Sequence, residues 1–228
     1  MAVKLDILNS FDSNNKIVNV YNNAIMRSQN FEFDNYNKKM RFYMLHQMVE
    51  HAVKTFPNYD LVECGCWHGH STLIISEVMR ELSAKGSLHV FDSFEGLSVF
   101  EPQDASEIIP GDQQESVRSH FRSNIDHFHH ITSDYSFVRA YPGWVPDLFN
   151  KVEENKFSFV SIDLDLYQPT KDAISFFYPR LVTGGFLYLD DYGYKDFPGS
   201  KMAIDEYLCD KSFQFFMEGP AGAAILIK

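Results

Sequence analysis

The chain is poor in cysteine, in positive charge and in long apolar runs. Only Cys64, Cys66 and Cys209 are present among 228 residues. An odd count with a C-x-C pair excludes a disulfide framework and suits a reducing compartment. Lys and Arg number 20 against 31 Asp and Glu, a net charge of -11. An acidic surface repels a phosphate backbone, so nucleic acid is not an expected partner. There is no Lys/Arg block to hold an anionic membrane. No apolar run approaches ~20 residues, so no membrane span is expected. Asp6 interrupts the stretch where a secretory signal would be apolar, and the expected location is cytoplasmic. The dinucleotide fingerprint G-x-G-x-x-G is missing, which argues against a pyrophosphate-binding turn and a nicotinamide oxidoreductase.

What is present is ordinary globular composition, 45% hydrophobic and 22% charged. The 21 Phe and 12 Tyr are spread along the chain and read as core rather than as one aromatic pocket. Residues 1 to about 37 are polar and Asn-rich, a partly helical arm. Leu45, Met48, Val49, Ala52, Val53 and Phe56 recur at helical spacing before Pro57. From Leu61 onward, strands alternate with helices. Strands are expected at Leu61 to Cys64, in "SLHVFD", "YSFVRAY", "KFSFVSIDLDLY" and "FLYLDDY", with a closing hairpin "FQFFME"/"AAILIK". Helices are expected from Ser71 or Thr72, over 115–127, within "VPDLFNKV", over 170–181 and in "SKMAIDEYLCD". Residues 93–114 read as a long loop. The alternation predicts an α/β fold, a mostly parallel seven-stranded sheet with an antiparallel last strand and helices on both faces. Residues 1–57 form a helical extension and 58–228 the core.

Two constellations carry chemistry. "ECGCWHGHS" places Glu63, Gly65 and Gly69 between a strand and a helix that Ser71 helps to start. The glycines let backbone approach a ligand at the carboxyl end of the sheet. An acid at the start of the turn repels phosphate and suits a ligand with an amino group. Asp92 ends the next strand, where an acid takes ribose hydroxyls in such folds. A nucleoside with a cationic amino-acid tail and no phosphate is S-adenosylmethionine. The C-x-C-x-H-x-H run from Cys64 to His70 matches no common zinc spacing, and His127, His129 and His130 read as a solvated helix end.

The second constellation is Asp163, Asp165, Asp190 and Asp191, two pairs at the ends of consecutive apolar strands. On an extended strand Asp163 and Asp165 share a side. Neighbouring parallel strands would bring all four acids together, and such a cluster needs protons or a cation. All-oxygen donors select a hard ion, Mg2+ before Ca2+ or Mn2+. A metal beside a carboxylate base can activate a sugar hydroxyl for methyl transfer. The bland alternative makes Asp190 or Asp191 a helix cap and Asp165 a surface residue.

The blocks "LVECGCWHGHST", "VFDSFEGL", "VRAYPGWVPDLF", "SIDLDLYQPTKDAISFFYPRLVTGGFLYLDDYG" and "PGSKMAIDEY" resemble the macrocin O-methyltransferase family, from about Met40 to Tyr207. The resemblance implies a Rossmann-like class I methyltransferase that uses S-adenosylmethionine and Mg2+ on sugar hydroxyls, as a homo-oligomer, a dimer. It implies Asp163, Asp190 and Asp191 as metal ligands and Asp165 as general base. It assigns Glu63, Gly65, Gly69, Ser71, Asp92, Ser93, Gly143 and Trp144 to the cofactor, with Trp144 equally suited to core packing. It also implies a segment over the site, for which residues 97–114 are the candidate. One departure is His68-Gly69-His70, where the family often has Arg-Gly-Gly. The acceptor is not implied. A phenolic acceptor of catechol type, or a cofactor-binding protein without turnover, are the rival readings.

Overall fold

The computed structural model describes residues 15–32 and 34–228; part of the expected N-terminal arm lies outside them. Helix α1 (Asn15–Ser28) turns Ile17, Val20, Tyr21, Ala24 and Ile25 inward at helical spacing. Helix α2 (Tyr36–Thr55) starts at Asn35, whose side chain accepts from the Lys38 amide at 3.0 Å. It buries Phe42, Leu45, Val49, Ala52 and Val53 along one stripe.

The core then alternates: β1 (Asp60–Cys64), α3 (His70–Glu81), β2 (Leu88–Asp92), α4 (Gln114–His120), α5 (Ile125–Thr132), β3 (Val138–Pro142), β4 (Phe157–Ile162), α6 (Tyr167–Phe177), β5 (Leu181–Leu189), α7 (Pro198–Leu208), β6 (Phe215–Glu218) and β7 (Ala224–Ile227). The seven strands lie in the order β3-β2-β1-β4-β5-β7-β6. The first five pair in parallel, and β7 runs antiparallel between β5 and β6. The expected sheet and its antiparallel last strand are therefore present.

The central strands are buried on both faces, as their unbroken apolar runs require. On one face α1, α2 and α3 close a cluster around Leu45, Val49, Ile74 and Phe159. On the other, α6 and α7 close a second around Val160, Ile174, Phe177 and Leu187. This packing holds the carboxyl ends of β1, β2, β4 and β5 side by side.

Four expectations need correction. The helix expected over 115–127 is two helices, because Asn124 caps α5 by accepting from the amides of Asp126 and His127 at 2.8 and 3.0 Å. The segment "VPDLFNKV" forms only a 3-10 turn at Phe149–Val152. Helix α3 begins at His70, with Gly69 in a left-handed conformation before it. Strand β4 ends at Ile162, so Asp163 and Asp165 do not share the side of an extended strand. Asp165 has φ 60, and the Leu166 amide closes a three-residue turn on the Leu164 carbonyl at 2.6 Å.

The long loop is a packed wall. Asp104 within it is buried, accepting from Glu101 N at 2.9 Å and from Tyr167 N at 2.7 Å. The loop thus supplies the cap that the first turn of α6 lacks from its own Leu166. Leu97, Phe100 and Ile109 pack with Leu166 and Phe197 beside it.

Candidate functional site

A cavity of about 720 Å3 opens at the carboxyl ends of these strands. This is where ligands bind in open α/β sheets. Its floor is the turn from β1 into α3. Gly65 has φ 85, and a Cβ there would run into the backbone carbonyl of Asp163. The Asp163 amide donates to the Cys64 carbonyl at 2.8 Å. The first glycine therefore lets the turn lie against the backbone that carries Asp163, and the two sequence constellations meet there.

Asp92 organises the turn from β2. Its Oδ2 accepts from Cys66 N at 2.8 Å and Trp67 N at 2.9 Å, and its Oδ1 from Phe94 N at 2.7 Å. A carboxylate has about four acceptor positions, so capacity for one ligand hydroxyl is left. Gly65, Ser71, Asp92, Ser93, Gly143 and Trp144 all line the cavity. Glu63 and Gly69 do not line it. Glu63 is fully buried beneath the turn, bonded by the Thr72 hydroxyl, and Gly69 faces Phe128 and Ile131. Their place is in the support of the turn.

Burial pushes the Glu63 carboxyl up to about 7, offset in part by the hydroxyls of Ser71 and Thr72. A raised carboxyl binds its proton more tightly folded than unfolded. Its contribution is complete below the ordinary value of 4.5 and is lost as pH rises through about 7. Over that window it lowers ligand-free stability by about 3 kcal/mol. Glu63→Gln should remove this slope. Denaturant titrations of variant and wild type at pH 5 and pH 8 should show the variant gaining relative stability at the higher pH; parallel behaviour would contradict the assignment.

Asp163, Asp165, Asp190 and Asp191 all line the same cavity. One carboxylate oxygen from each of Asp163, Asp165 and Asp191 lies within 4.8 Å of the others. The Asp165 amide donates to Asp191 Oδ2 at 2.9 Å, which fixes the turn after β4 to the end of β5. Burial first, then the charge of neighbouring carboxylates, pushes Asp163, Asp165 and Asp191 well above the usual carboxylate range. Such a set fits a hard divalent cation: its donors are all oxygen, they are convergent, and without a cation they hold protons. Asp190 is engaged differently. Its carboxylate takes the Arg41 guanidinium on one oxygen and the Tyr188 hydroxyl, at 2.9 Å, on the other.

Arg41 and Lys38 are the site residues that the sequence analysis missed. Both line the cavity from α2. Burial, followed by the Arg41 charge, pushes the Lys38 amine down to about 8, against the pull of Asp163 and Asp190. A signal existed: Lys38, Arg41, Phe42 and Leu45 are spaced i, i+3, i+4, i+7. Two cations in phase with an apolar stripe are cations that face inward.

Several known proteins are similar. The family model described as Macrocin-O-methyltransferase (TylF) matches residues 36–217. Demethyldecarbamoylnovobiocin O-methyltransferase of Streptomyces niveus is 29% identical over 178 residues, 72% of this chain and 63% of that protein. The 8-demethyl-8-(2,3-dimethoxy-alpha-L-rhamnosyl)-tetracenomycin-C 4'-O-methyltransferase of Streptomyces olivaceus is 30% identical over 144 residues, 58% of this chain and 52% of that protein. The chain thus spans about half to two thirds of the length of the curated relatives it matches. Among solved structures, the O-methyltransferase NovP superposes with a TM-score of 0.68 at 23% identity, covering 83% of this chain and 80% of that one. The calicheamicin methyltransferase CalS11 gives 0.65 at 17% identity, covering 94% and 93%. These two share the fold of this chain. With four fifths of its length under the family model, the chain belongs to the macrocin O-methyltransferase family.

Proposed function

We propose that the protein is an S-adenosylmethionine- and Mg2+-dependent O-methyltransferase acting on a hydroxyl of a sugar moiety or similar polyhydroxyl small molecule. One observation carries the reading: a single cavity joins the glycine turn with Asp92 to four aspartates. Family membership supports the reaction class. Support for a sugar acceptor comes from relatives named for transfer at the 4' position of a rhamnosyl compound and the 3'' position of mycinamicin III.

Bound S-adenosylmethionine would supply the methyl group. The backbone at Gly65 and the hydroxyl of Ser71 would face its amino-acid end, and the remaining acceptor position of Asp92 its ribose. Ser93, Gly143 and Trp144 line the part of the cavity left for the base. Asp163, Asp190 and Asp191 would hold Mg2+, which when bound would make an acceptor hydroxyl more acidic. Asp165 then takes the hydroxyl proton. Asp165 is 7% exposed and its backbone sits in a tight turn, so the base is pre-oriented and largely buried. The loop cap at Asp104 steadies the same turn by fixing Tyr167 two residues on.

Asp165→Asn should bind S-adenosylmethionine with wild-type affinity and lose turnover by about 10²–10³-fold. Calorimetry and labelled-methyl transfer measure the two; unchanged turnover moves the base elsewhere. An acceptor panel of glycosides, free sugars and phenols with methyl-labelled cofactor tests the substrate class. Transfer to phenols alone would replace the sugar reading with the phenolic one, and tight NAD binding without S-adenosylmethionine binding would overturn both.

A further inference from the structure

Arg41 is the cation that holds Asp190. It reaches the cluster from α2, 149 residues away in sequence. The pair is secluded, with side chains 15% and 6% exposed. Its guanidinium also lies 5.1 Å from the ring centroid of Tyr194, just beyond β5. Yet Arg41 Nε is buried and makes no hydrogen bond among the described residues. The guanidinium is therefore held by charge on one side and a ring on the other, not by a complete set of hydrogen bonds. A fully bonded arginine would be a fixed strut; this one has less to lose by moving.

While Arg41 grips Asp190, the three carboxylates left together are Asp163, Asp165 and Asp191. In that arrangement a cation would engage Asp165 and leave no free base. If Asp190 is released, it joins Asp163 and Asp191, and Asp165 is left for the proton. A guanidinium and a divalent cation on one carboxylate also repel each other strongly in a cavity shielded from water.

Resting on the proposed metal site, we propose that Arg41 is an internal counter-ion that competes with the divalent cation for Asp190. Metal entry and release of Asp190 by Arg41 are a single exchange. Arg41 is a positioning residue: it steadies four acids in the absence of metal, and its departure separates the ligands from the base. Because Arg41 sits on α2, the exchange also ties the cation to the helix that walls the cavity.

The test measures metal binding, not turnover. Mn2+ binding by electron paramagnetic resonance and thermal unfolding with and without Mn2+ are compared for wild type, Arg41→Met and Arg41→Lys. Arg41→Met should unfold at lower temperature without metal, bind Mn2+ about tenfold more tightly, and gain more from Mn2+ than wild type does. Arg41→Lys, which keeps the charge but loses the fork, should fall between them; it carries the test if Arg41→Met does not fold. Placing Arg41→Met on an Asp190→Asn background should abolish the gain in affinity. Unchanged or weaker Mn2+ binding in both Arg41 variants overturns the exchange while leaving the metal site standing. A wild type that binds no Mn2+ overturns the metal site itself and the exchange with it.

Discussion

Asp163→Asn is expected to fold, to bind S-adenosylmethionine, and to lose methyl transfer by about 10⁴-fold or more. The position is the hinge between the two halves of the cavity. Its backbone amide bonds to the Cys64 carbonyl at the end of β1, and its carboxylate stands with those of Asp165 and Asp191. Asparagine preserves size and backbone bonding, so cofactor affinity should change little. What it removes is the negative charge that a divalent cation requires. In the metal-free protein that charge is costly, because burial and neighbouring acids oppose it. The variant should therefore be at least as stable as wild type without metal and should gain nothing when Mg2+ is added. Thermal unfolding and labelled-methyl transfer read both halves. Retained transfer at a tenth of the wild-type rate or more would remove Asp163 from the metal site.

Gly65→Ala should be the most damaging substitution in the turn. Residue 65 is left-handed at φ 85, and a methyl group there meets the Asp163 carbonyl, which is backbone and cannot swing aside. The strain and overpacking together cost about 3 kcal/mol or more. For a chain of this size that is a fall in Tm of roughly 10 °C. Activity should fall further than stability, since relief of the clash moves Asp163 out of its cluster. Gly69→Ala is the control. Its Cβ would meet the side chains of Ile131 and Phe128 at 3.1 Å, outside the cavity. That variant should lose stability while keeping its Mn2+ affinity; equal loss of Mn2+ affinity in both would contradict the coupling of turn to aspartate.

The fold was legible because its signals are local. Apolar runs gave the strands, and helical spacing gave α2, α3, α6 and α7 in outline, while α4 and α5 read as one helix. The pairs of aspartates at two strand ends were legible as a cluster because parallel neighbours share an end. The turn at Asp165 was not. "SIDLDLY" alternates as a strand should, so the pattern continues past the point where β4 stops. The structure ends it there because Leu164 and Leu166, which a strand would put on one face, enter different clusters: Leu164 packs toward α6 and α7, Leu166 with Ile109 and Phe197 in the loop wall. Glu63 was legible as an acid at the glycine turn but not as a buried support, since only the Thr72 hydroxyl and the closed packing reveal that role. Arg41 had a local signal in its phase with the α2 stripe, but its partner Asp190 was beyond local reading, because the pair is made by a contact between α2 and the end of β5.

If one cavity uses a divalent cation and S-adenosylmethionine together to methylate a hydroxyl, transfer must depend on both. The most direct measurement is labelled-methyl transfer to a glycosylated acceptor found in the panel, by protein stripped with chelator and then titrated with Mg2+. Stripped protein should show no transfer, recovery should be full as Mg2+ is restored, and Asp163→Asn should not recover. Full transfer by the stripped wild-type protein would contradict that dependence.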